Sequence, residues 1–185
     1  MHQENLRVAI LLGGGRRGRT GPVIAAWFLD LVAARPGVDV DVLDVGDHWA
    51  DDQGPEATGF SRAIDAADAF VVVTPEYNHG YPGPLKSAID SARKEWFAKP
   101  VAFVSYGGMS GGLRAVEQLR GVFSELHMTS VRTSVSLHNA QGLFVAGTGG
   151  EELRGAEAAV DEMLDQLAWW GESLRHARRD RPYPG

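Results

Sequence analysis

The chain has 185 residues, a formal net charge of −6 and an isoelectric point near 5.5, with 44% hydrophobic and 23% charged residues. This balance is typical of a soluble globular protein, and the length suits one domain with a sizeable core. The acidic balance argues against nucleic acid or an anionic membrane as a partner.

The lack of cysteine excludes a disulfide framework, a thiolate nucleophile and a cysteine-ligated zinc site. Residues 1–5 lack the charged-then-apolar layout of a signal peptide, and no apolar run approaches membrane-spanning length. We therefore expect a cytoplasmic protein. With no internal repeat or boundary in view, we predict one domain over residues 1–174 and a charged, frayed tail over residues 175–185.

Apolar segments rich in β-branched residues alternate along the chain with segments of helical periodicity. The predicted strands cover residues 6–12, 38–45, 69–73, 101–106 and 128–137, and the predicted helices cover residues 22–34, 60–68, 85–92, 113–126 and 151–170. Because right-handed crossovers need helices on both faces, this alternation predicts an α/β fold with a doubly wound, five-stranded parallel sheet. The second strand alternates apolar residues with Asp, which is typical of an edge. Two strand orders stay open, 2-1-3-4-5 and an extended Rossmann half-sheet.

The chain between residues 74 and 90 carries a dense set of polar and aromatic groups directly after a buried strand. Pro75 removes a backbone donor and ends the strand, and Gly80, Pro82 and Gly83 keep the chain irregular before a helix begins. Ligands bind at loops on the carboxyl ends of parallel strands, so we predict a ligand loop here. It holds a carboxylate, two tyrosines, an amide and an imidazole, on Glu76, Tyr77, Asn78, His79 and Tyr81.

A glycine-rich loop follows the first strand, at residues 13–21. It satisfies the G-x-G-x-x-G pattern of dinucleotide sites, with Asp39, Asp41 and Asp44 downstream, but the pattern has low specificity in a chain with 23 glycines. Its three arginines favour a terminal phosphate, which glycine N–H groups, a helix N-terminus and a guanidinium fork bind together. A tight turn with solvated arginines is the third interpretation.

Residues 108–112 satisfy the G-x-S-x-G pattern between a strand and a helix, the setting of a hydrolase nucleophile. With Ser110 as the nucleophile, Asp161 and His176 follow in the esterase order. His176 falls in a charged tail with no core to orient it, so a serine hydrolase is the less favoured alternative. The other histidines lack paired metal-ligand spacing, and no metal site is predicted.

Three segments together resemble the NADPH-dependent FMN reductases, and the resemblance runs from about residue 7 to residue 137 in the expected order. Residues 13–19 (GGGRRGR) resemble the phosphate loop of that family, residues 74–78 (TPEYN) and 85–90 (LKSAID) its flavin-ring loop and the following helix, and residues 104–115 its third loop. Members usually carry a hydroxyl residue where this chain has Gly14, often another at Gly15, and Asn where it has Ser87. These departures predict weaker binding of FMN.

The resemblance implies a flavodoxin-like fold with strand order 2-1-3-4-5 and an NAD(P)H-dependent FMN reductase or quinone reductase. FMN is the implied cofactor, with NADPH or NADH as the co-substrate. A hydride passes through FMN to a quinone, azo compound, metal oxyanion or free flavin in a ping-pong scheme. His79 and Tyr81 are expected on the substrate side, and no catalytic side chain is predicted, because the hydride step needs no side-chain acid or base. The expected cofactor-binding residues are Gly13, Gly14, Gly15, Arg16, Gly18, Arg19, Thr20, Pro75, Glu76, Tyr77, Asn78, Ser105, Tyr106, Gly107, Gly108 and Ser110.

Backbone N–H groups within the loops at residues 75–78 and 107–110 (Pro75 has none) are expected to hold the flavin ring edges, where reduction places negative charge. Tyr77 is expected to pack beside the ring and Asn78 to anchor its loop. A flavodoxin-like electron carrier without turnover of its own is the alternative within the same fold. Carriers tend to be strongly acidic and to stack aromatic residues on both ring faces. The modest charge of this chain and its small loop residues favour an enzyme with one open ring face.

The oligomeric state is predicted from the aromatic and apolar residues in and after the ring loop. There are more of them than a solvent-exposed loop usually carries, which indicates that a partner surface covers them. They are Tyr81, Leu85, Trp96 and Phe97. We therefore expect a homodimer or homotetramer, and the resemblance implies an active site near the subunit boundary.

Overall fold

The computed structural model describes residues 4–14, 20–45, 55–144 and 150–185, except the side chains of residues 55–58. Its strands are β1 Leu6–Leu12, β2 Val38–Asp44, β3 Ala69–Pro75, β4 Pro100–Tyr106, β5 Thr129–Ser130 and β6 Val135–Leu137. Its helices are α1 Thr20–Ala33, α2 Pro55–Ala66, α3 Gly83–Asp90, α4 Leu113–Glu125, α5 Ala140–Phe144 and α6 Gly150–Asp180, with a 3-10 turn at Lys94–Trp96. Within these ranges, no helix is both long and apolar enough to cross a membrane.

The strands form one parallel sheet in the order β2-β1-β3-β4, and β5 and β6 both pair with β4. This confirms the doubly wound α/β fold with order 2-1-3-4-5 and the half-exposed edge strand β2. The predicted fifth strand, however, is interrupted in its middle. There Thr133 turns toward α6, where its N–H donates to Gln166 Oε1 at 3.0 Å and its hydroxyl donates to Glu162 Oε1 at 2.8 Å. Partners on a helix thus replace sheet pairing at this point.

The central strand β3 explains why helices cover both faces of the sheet. All of its residues are buried, and successive side chains point to opposite faces. Val71 and Val73 belong to the core layer with α1 and α6, whereas Phe70 and Val72 belong to the layer with α3 and α4. Each fully buried side chain of this size contributes about 1.5–3 kcal/mol, so a strand that is apolar on both sides is stable only between two helical layers.

Trp96 is fully buried in the layer that contains α3 and α4. Its ring centroid lies 4.8 Å from that of Phe70 and 5.7 Å from that of Phe123, and its indole N–H donates to Ile89 O at 3.1 Å. Leu85 is fully buried as well. The sequence-based argument for a subunit interface is therefore wrong for Leu85 and Trp96, which are core residues of this chain.

The last helix is longer than its hydrophobic pattern predicts. α6 continues to Asp180, so the residues from Arg175 onward, expected to be frayed, are helical as far as Asp180. The physical reason is a long-range ion pair. Arg175 is 6% exposed and donates to Asp68 Oδ2 at 3.2 Å and to Asn5 O at 2.9 Å, at the amino ends of β3 and β1. Arg178 also donates to Asp68, so these charged residues hold the helix against the sheet.

Candidate functional site

Three strand ends meet at the carboxyl edge of the sheet. Leu12 of β1 pairs with Val73 of β3, and Pro75 of β3 pairs with Tyr106 of β4. The loops after these strands border a cavity of about 310 Å³. The predicted loops therefore lie at one cavity, as far as they are described. The cavity is lined by Thr20, Gly21, Pro75, Glu76, Tyr77, Tyr106, Gly107, Gly108, Asn139, Ala140 and Gln141.

The first loop lies partly outside the described residues. The predicted phosphate ligands Gly15, Arg16, Gly18 and Arg19 fall within residues 15–19, which the structure does not describe, and their roles stay predictions. On either side of this gap, Gly13 donates its N–H to Val73 O at 2.8 Å, and Thr20 begins α1.

Tyr106 ends β4 and its side chain reaches across to the first loop. The residue is 8% exposed, and its hydroxyl lies between Gly14 and Gly21. A Cβ atom added at Gly21 would lie 2.8 Å from Tyr106 Oη, and one added at Gly14 would overlap Oη. Burial, with a smaller contribution from Tyr77, raises the pKa of Tyr106 far above its ordinary value. The hydroxyl therefore stays protonated and is a hydrogen-bond donor at any working pH.

Glu76 joins the loop after β3 to the start of α4. Its carboxylate accepts hydrogen bonds from Arg114 Nη1 at 2.8 Å and from the Arg114 backbone N–H at 3.2 Å, and Ser110 also bonds to it. Burial works to raise the pKa of Glu76, but the bonds from Arg114 and Ser110 outweigh it and hold the pKa below its ordinary value. Lys86, ten residues further along the chain, does not pair with Glu76 but with Asp90, one helical turn away.

The segment from Tyr77 to Gly80 is a tight turn that closes on itself through two backbone hydrogen bonds, of 2.9 and 3.1 Å. Asn78 and His79 both have positive φ, 49° and 74°, as the two central residues of a type I′ turn require. Gln118 of α4 donates to His79 O at 2.9 Å. The backbone and Gln118 thus anchor this loop, rather than the Asn78 side chain.

The loop after β4 is held by Ser105. Its buried hydroxyl donates to Gly111 O at 2.8 Å, and a Cβ atom at Gly112 (φ 85°) would lie 2.6 Å from Ser105 Cβ. The Ser105 side chain therefore supports the loop from beneath and does not face the cavity. Only glycine at position 112 allows this approach.

Several backbone donors predicted for the flavin ring already have partners in the protein. The N–H groups of Glu76, Tyr77 and Gly107 donate to Tyr106 O, Gly80 O and Leu137 O respectively. By contrast, the N–H groups of Gly108 and Met109 form no hydrogen bond within the described part of the chain. The donors left for a ligand are therefore fewer than the sequence suggested, and Gly108 and Met109, in the loop after β4, are among them.

The start of α5 contributes a cavity wall that sequence reasoning missed. Residues 139–150 were predicted to be a glycine-rich loop, yet Asn139, Ala140 and Gln141 line the cavity, and α5 begins at Ala140. Asn139 and Ala140 donate their N–H groups to Gly108 O and Gly107 O at 2.9 and 3.0 Å. The available signal was their position after β6, since every strand of a parallel sheet ends at the same edge.

The geometry overturns the serine hydrolase hypothesis. Ser110 lies beside Glu76 after the carboxyl end of β4, whereas His176 follows Arg175, which is bonded at the amino end of β1. His176 Nδ1 lies 2.8 Å from Glu172 O on its own helix, and Asp161 pairs with Arg35. Nucleophile and base are therefore at opposite edges of the sheet, and the acid is 15 residues from the base along α6, so the three form no triad.

A larger cavity, of about 640 Å³, opens near the amino edge of the sheet. Its walls are mainly apolar, with Trp170, Leu174 and Tyr183 among them. The guanidinium of Arg178, also in its wall, is already bonded to Asp68 and to Ala98 O. None of the predicted site residues lines this cavity, so the carboxyl-edge cavity is the candidate site.

Comparison with known proteins gives one consistent family. The profile of the NADPH-dependent FMN reductase family matches residues 6–142. An NAD(P)H-dependent FMN reductase of Schizosaccharomyces pombe is 33% identical over 156 residues, which span 76% of this chain and 77% of that protein. A quinone reductase of Escherichia coli is 28% identical, over 95% of this chain and 98% of that protein. In fold, the chain is similar to the flavoenzyme NAD(P)H:(acceptor) oxidoreductase FerB of Paracoccus denitrificans, with a TM-score of 0.73 at 23% identity, covering 88% and 97% of the two chains.

Proposed function

The chain belongs to the NADPH-dependent FMN reductase family, and we propose that its carboxyl-edge cavity is where FMN binds and NAD(P)H reacts. The protein is an oxidoreductase and a flavoprotein that uses FMN, with NAD(P)H as its co-substrate. Its second substrate is a small molecule, and the relatives named quinone oxidoreductase and quinone reductase support a quinone as one proposed acceptor.

The described residues fit a flavin mononucleotide on chemical grounds. FMN has a phosphate at one end and a flat, polar-edged ring at the other. The phosphate end is matched by the first turn of α1, whose N–H groups have no partner within the helix and whose dipole favours an anion next to Gly14 and Thr20. The ring end is matched by Gly108 and Met109, whose N–H groups have no partner in the described chain. The cavity that opens on both sets of groups is the observation that carries the proposal.

The described residues have distinct tasks in this proposal. The N–H groups of Gly108 and Met109 donate to the acceptor edge of the ring, where preorganised donors favour the reduced and more negative form. Glu76 keeps the β3 and β4 loops at a fixed separation through Arg114. Tyr77, 45% exposed at the cavity wall, packs beside the ring.

When bound, FMN would supply hydride transfer from NAD(P)H to the second substrate, and we propose that the two substrates react in turn, in a ping-pong scheme, at one accessible ring face. The chain contributes by leaving that face accessible, since Gly107 and Gly108 add no side chain to the cavity wall. His79 and Tyr81, in and after the tight turn, are proposed to contact the incoming substrates. The proposed acceptors are quinones, azo compounds, metal oxyanions and free flavin.

The test is the visible spectrum of the purified protein with added FMN, recorded before and after NADPH under anaerobic conditions. We expect a bound-flavin spectrum that bleaches within seconds and returns when a quinone is supplied. Catalytic oxidation of NADPH with quinone separates a reductase from an electron carrier, which would bind FMN without turnover. A protein that takes up no FMN refutes the proposal.

We also propose a homodimer or homotetramer with its interface beside the cavity. Large apolar side chains are exposed there: Met109 is 93% exposed, and Tyr77 and Leu113 are each 45% exposed. A second subunit on this surface would bury them. Light scattering at micromolar concentration is expected to give at least twice the monomer mass, and a strictly monomeric protein would disprove this part.

A further inference from the structure

The Tyr106 side chain is nearly buried and lines two cavities. The residue is 8% exposed, and its hydroxyl forms no hydrogen bond with any other described residue. A phenol hydroxyl at the wall of a cavity normally bonds to protein, to water or to a ligand that fills the cavity. The missing partner is therefore expected to be a ligand.

The position of the hydroxyl identifies that ligand's chemistry. Tyr106 lines two cavities of about 310 and 300 Å³, and Gly21 lines both of them as well. Gly21 lies in the first turn of α1, where backbone N–H groups have no partner within the helix and the dipole favours negative charge. A Cβ atom at Gly21 would lie 2.8 Å from Tyr106 Oη. The hydroxyl is therefore in van der Waals contact with the start of this helix.

Gly14 shows why a tyrosine is needed at this place. Oη occupies the space that a side chain at residue 14 would fill. Neither glycine has a side-chain donor of its own. The phenol, 92 residues further along the chain than Gly14, brings a hydroxyl to this point.

We propose that the Tyr106 hydroxyl donates a hydrogen bond to the phosphomonoester of the cofactor at the first turn of α1, in place of a side chain at position 14. This proposal rests on the proposed function, because FMN supplies the phosphate. Burial supports it, since the raised pKa of Tyr106 keeps the proton on the donor beside a dianion.

Tyr106→Phe, which removes one oxygen and keeps the ring, tests the proposal. FMN and riboflavin differ only by the phosphate, so their dissociation constants are measured in parallel by flavin fluorescence quenching with the apoprotein. We expect the FMN dissociation constant to rise about tenfold or more, as for a lost bond to a charged group, while the riboflavin constant changes less than about twofold. Tyr183→Phe, remote from the site in the aromatic cluster of Phe97 and His127, is the matched control and is expected to change neither constant.

A cofactor-free measurement gives a second readout. Inorganic phosphate is expected to raise the melting temperature of the wild-type apoprotein and to raise that of Tyr106→Phe less. Equal phosphate shifts in the two proteins contradict the proposal.

Exchanging the hydroxyl between the two positions sharpens the test. Gly14→Ser alone is expected to abolish FMN binding, because the new Cβ overlaps Oη. In the double variant Gly14→Ser/Tyr106→Phe, the nearest ring carbon lies 3.5 Å from that Cβ, an ordinary contact, and the serine restores a hydroxyl. We expect this double variant to bind FMN more tightly than either single variant.

The outcomes separate this proposal from the one on which it rests. If the wild-type protein binds no FMN, the proposed function fails. If the wild-type protein binds FMN and Tyr106→Phe weakens FMN and riboflavin equally, or neither, the phosphate contact is refuted while the proposed function stands.

Discussion

The pairing of Glu76 with Arg114 makes the strongest prediction, because one carboxylate connects two loops of the site. Glu76 follows β3, and Arg114 lies in the first turn of α4, which follows β4. The carboxylate accepts the Arg114 guanidinium at 2.8 Å and the Arg114 backbone N–H at 3.2 Å. It is also bonded by Ser110 and stands at the positive end of the helix dipole. We predict that Glu76→Gln destabilises the protein and loosens both loops.

The magnitude follows from exposure at the two ends of the pair. The Glu76 side chain is 7% exposed, which favours a strong bond, but the Arg114 side chain is 47% exposed and solvent screens its charge. Hydrogen bonds to charged groups contribute about 1.5–3 kcal/mol each, and a charge at a helix terminus about 0.3–1 kcal/mol. After the discount for screening, and because glutamine keeps one acceptor, we expect a loss of about 1–2 kcal/mol for Glu76→Gln.

Urea unfolding at pH 7 measures this loss, with Asp90→Asn as the control. Asp90 forms an ion pair of ordinary surface type with Lys86, at 2.5 Å with 54% of its side chain exposed. Its removal is expected to cost less than about 0.5 kcal/mol. The same variants are titrated with FMN, where Glu76→Gln is expected to weaken binding and Asp90→Asn to leave it unchanged.

The pH dependence of the free energy of unfolding tests whether the Glu76 charge is responsible for this loss. The pKa of Glu76 is lower in the folded protein than its ordinary value of 4.5, so its stabilisation is present above about pH 4.5 and is lost as the pH falls through the folded pKa. The stability gap between wild type and Glu76→Gln must therefore narrow between pH 7 and pH 3.5. Equal stabilities at pH 7, or a gap that stays constant with pH, would show that the carboxylate charge has no such role.

Three further predictions concern the turn and the core. His79 has a φ of 74°, so His79→Gly is expected to raise stability by about 0.5–1 kcal/mol in urea, and a destabilised variant would mean that the side chain holds the turn. Trp96 is fully buried, so Trp96→Ala is expected to cost about 3–5 kcal/mol, and a loss below about 1 kcal/mol would contradict its place in the core. Burial of Lys99, with a smaller effect of Arg178, lowers its pKa from 10.5 to about 8. The charged form therefore destabilises the folded protein, and the free energy of unfolding rises as the pH increases from 8 to 10.5. Relative to Lys99→Met, the wild type should gain about 2 kcal/mol between pH 7 and pH 9.5, and a difference that does not change with pH would disprove the burial argument.

The alternation of strands and helices was predictable from the sequence by itself, and so was the edge of the sheet that carries the site. Strand β3 is an unbroken apolar run that ends at Pro75, and such local patterns determine an element wherever it is placed. The polar and aromatic side chains of residues 76–81 follow that strand directly. Because ligands bind at the carboxyl ends of parallel strands, these residues indicated where the cavity lies. The resemblance carried by these residues indicated the family that the comparisons confirm.

The partners of individual side chains were decided only by the tertiary structure. Glu76 bonds to Arg114, and Tyr106 reaches Gly14, because strands β1, β3 and β4 are neighbours in a particular register. Residues 175–180, expected in a frayed tail, are helical because Arg175 pairs with Asp68. Each of these contacts joins residues 38 or more positions apart. A local pattern contains no information on such distances, since the energy of each contact depends on where the whole sheet has placed its partner.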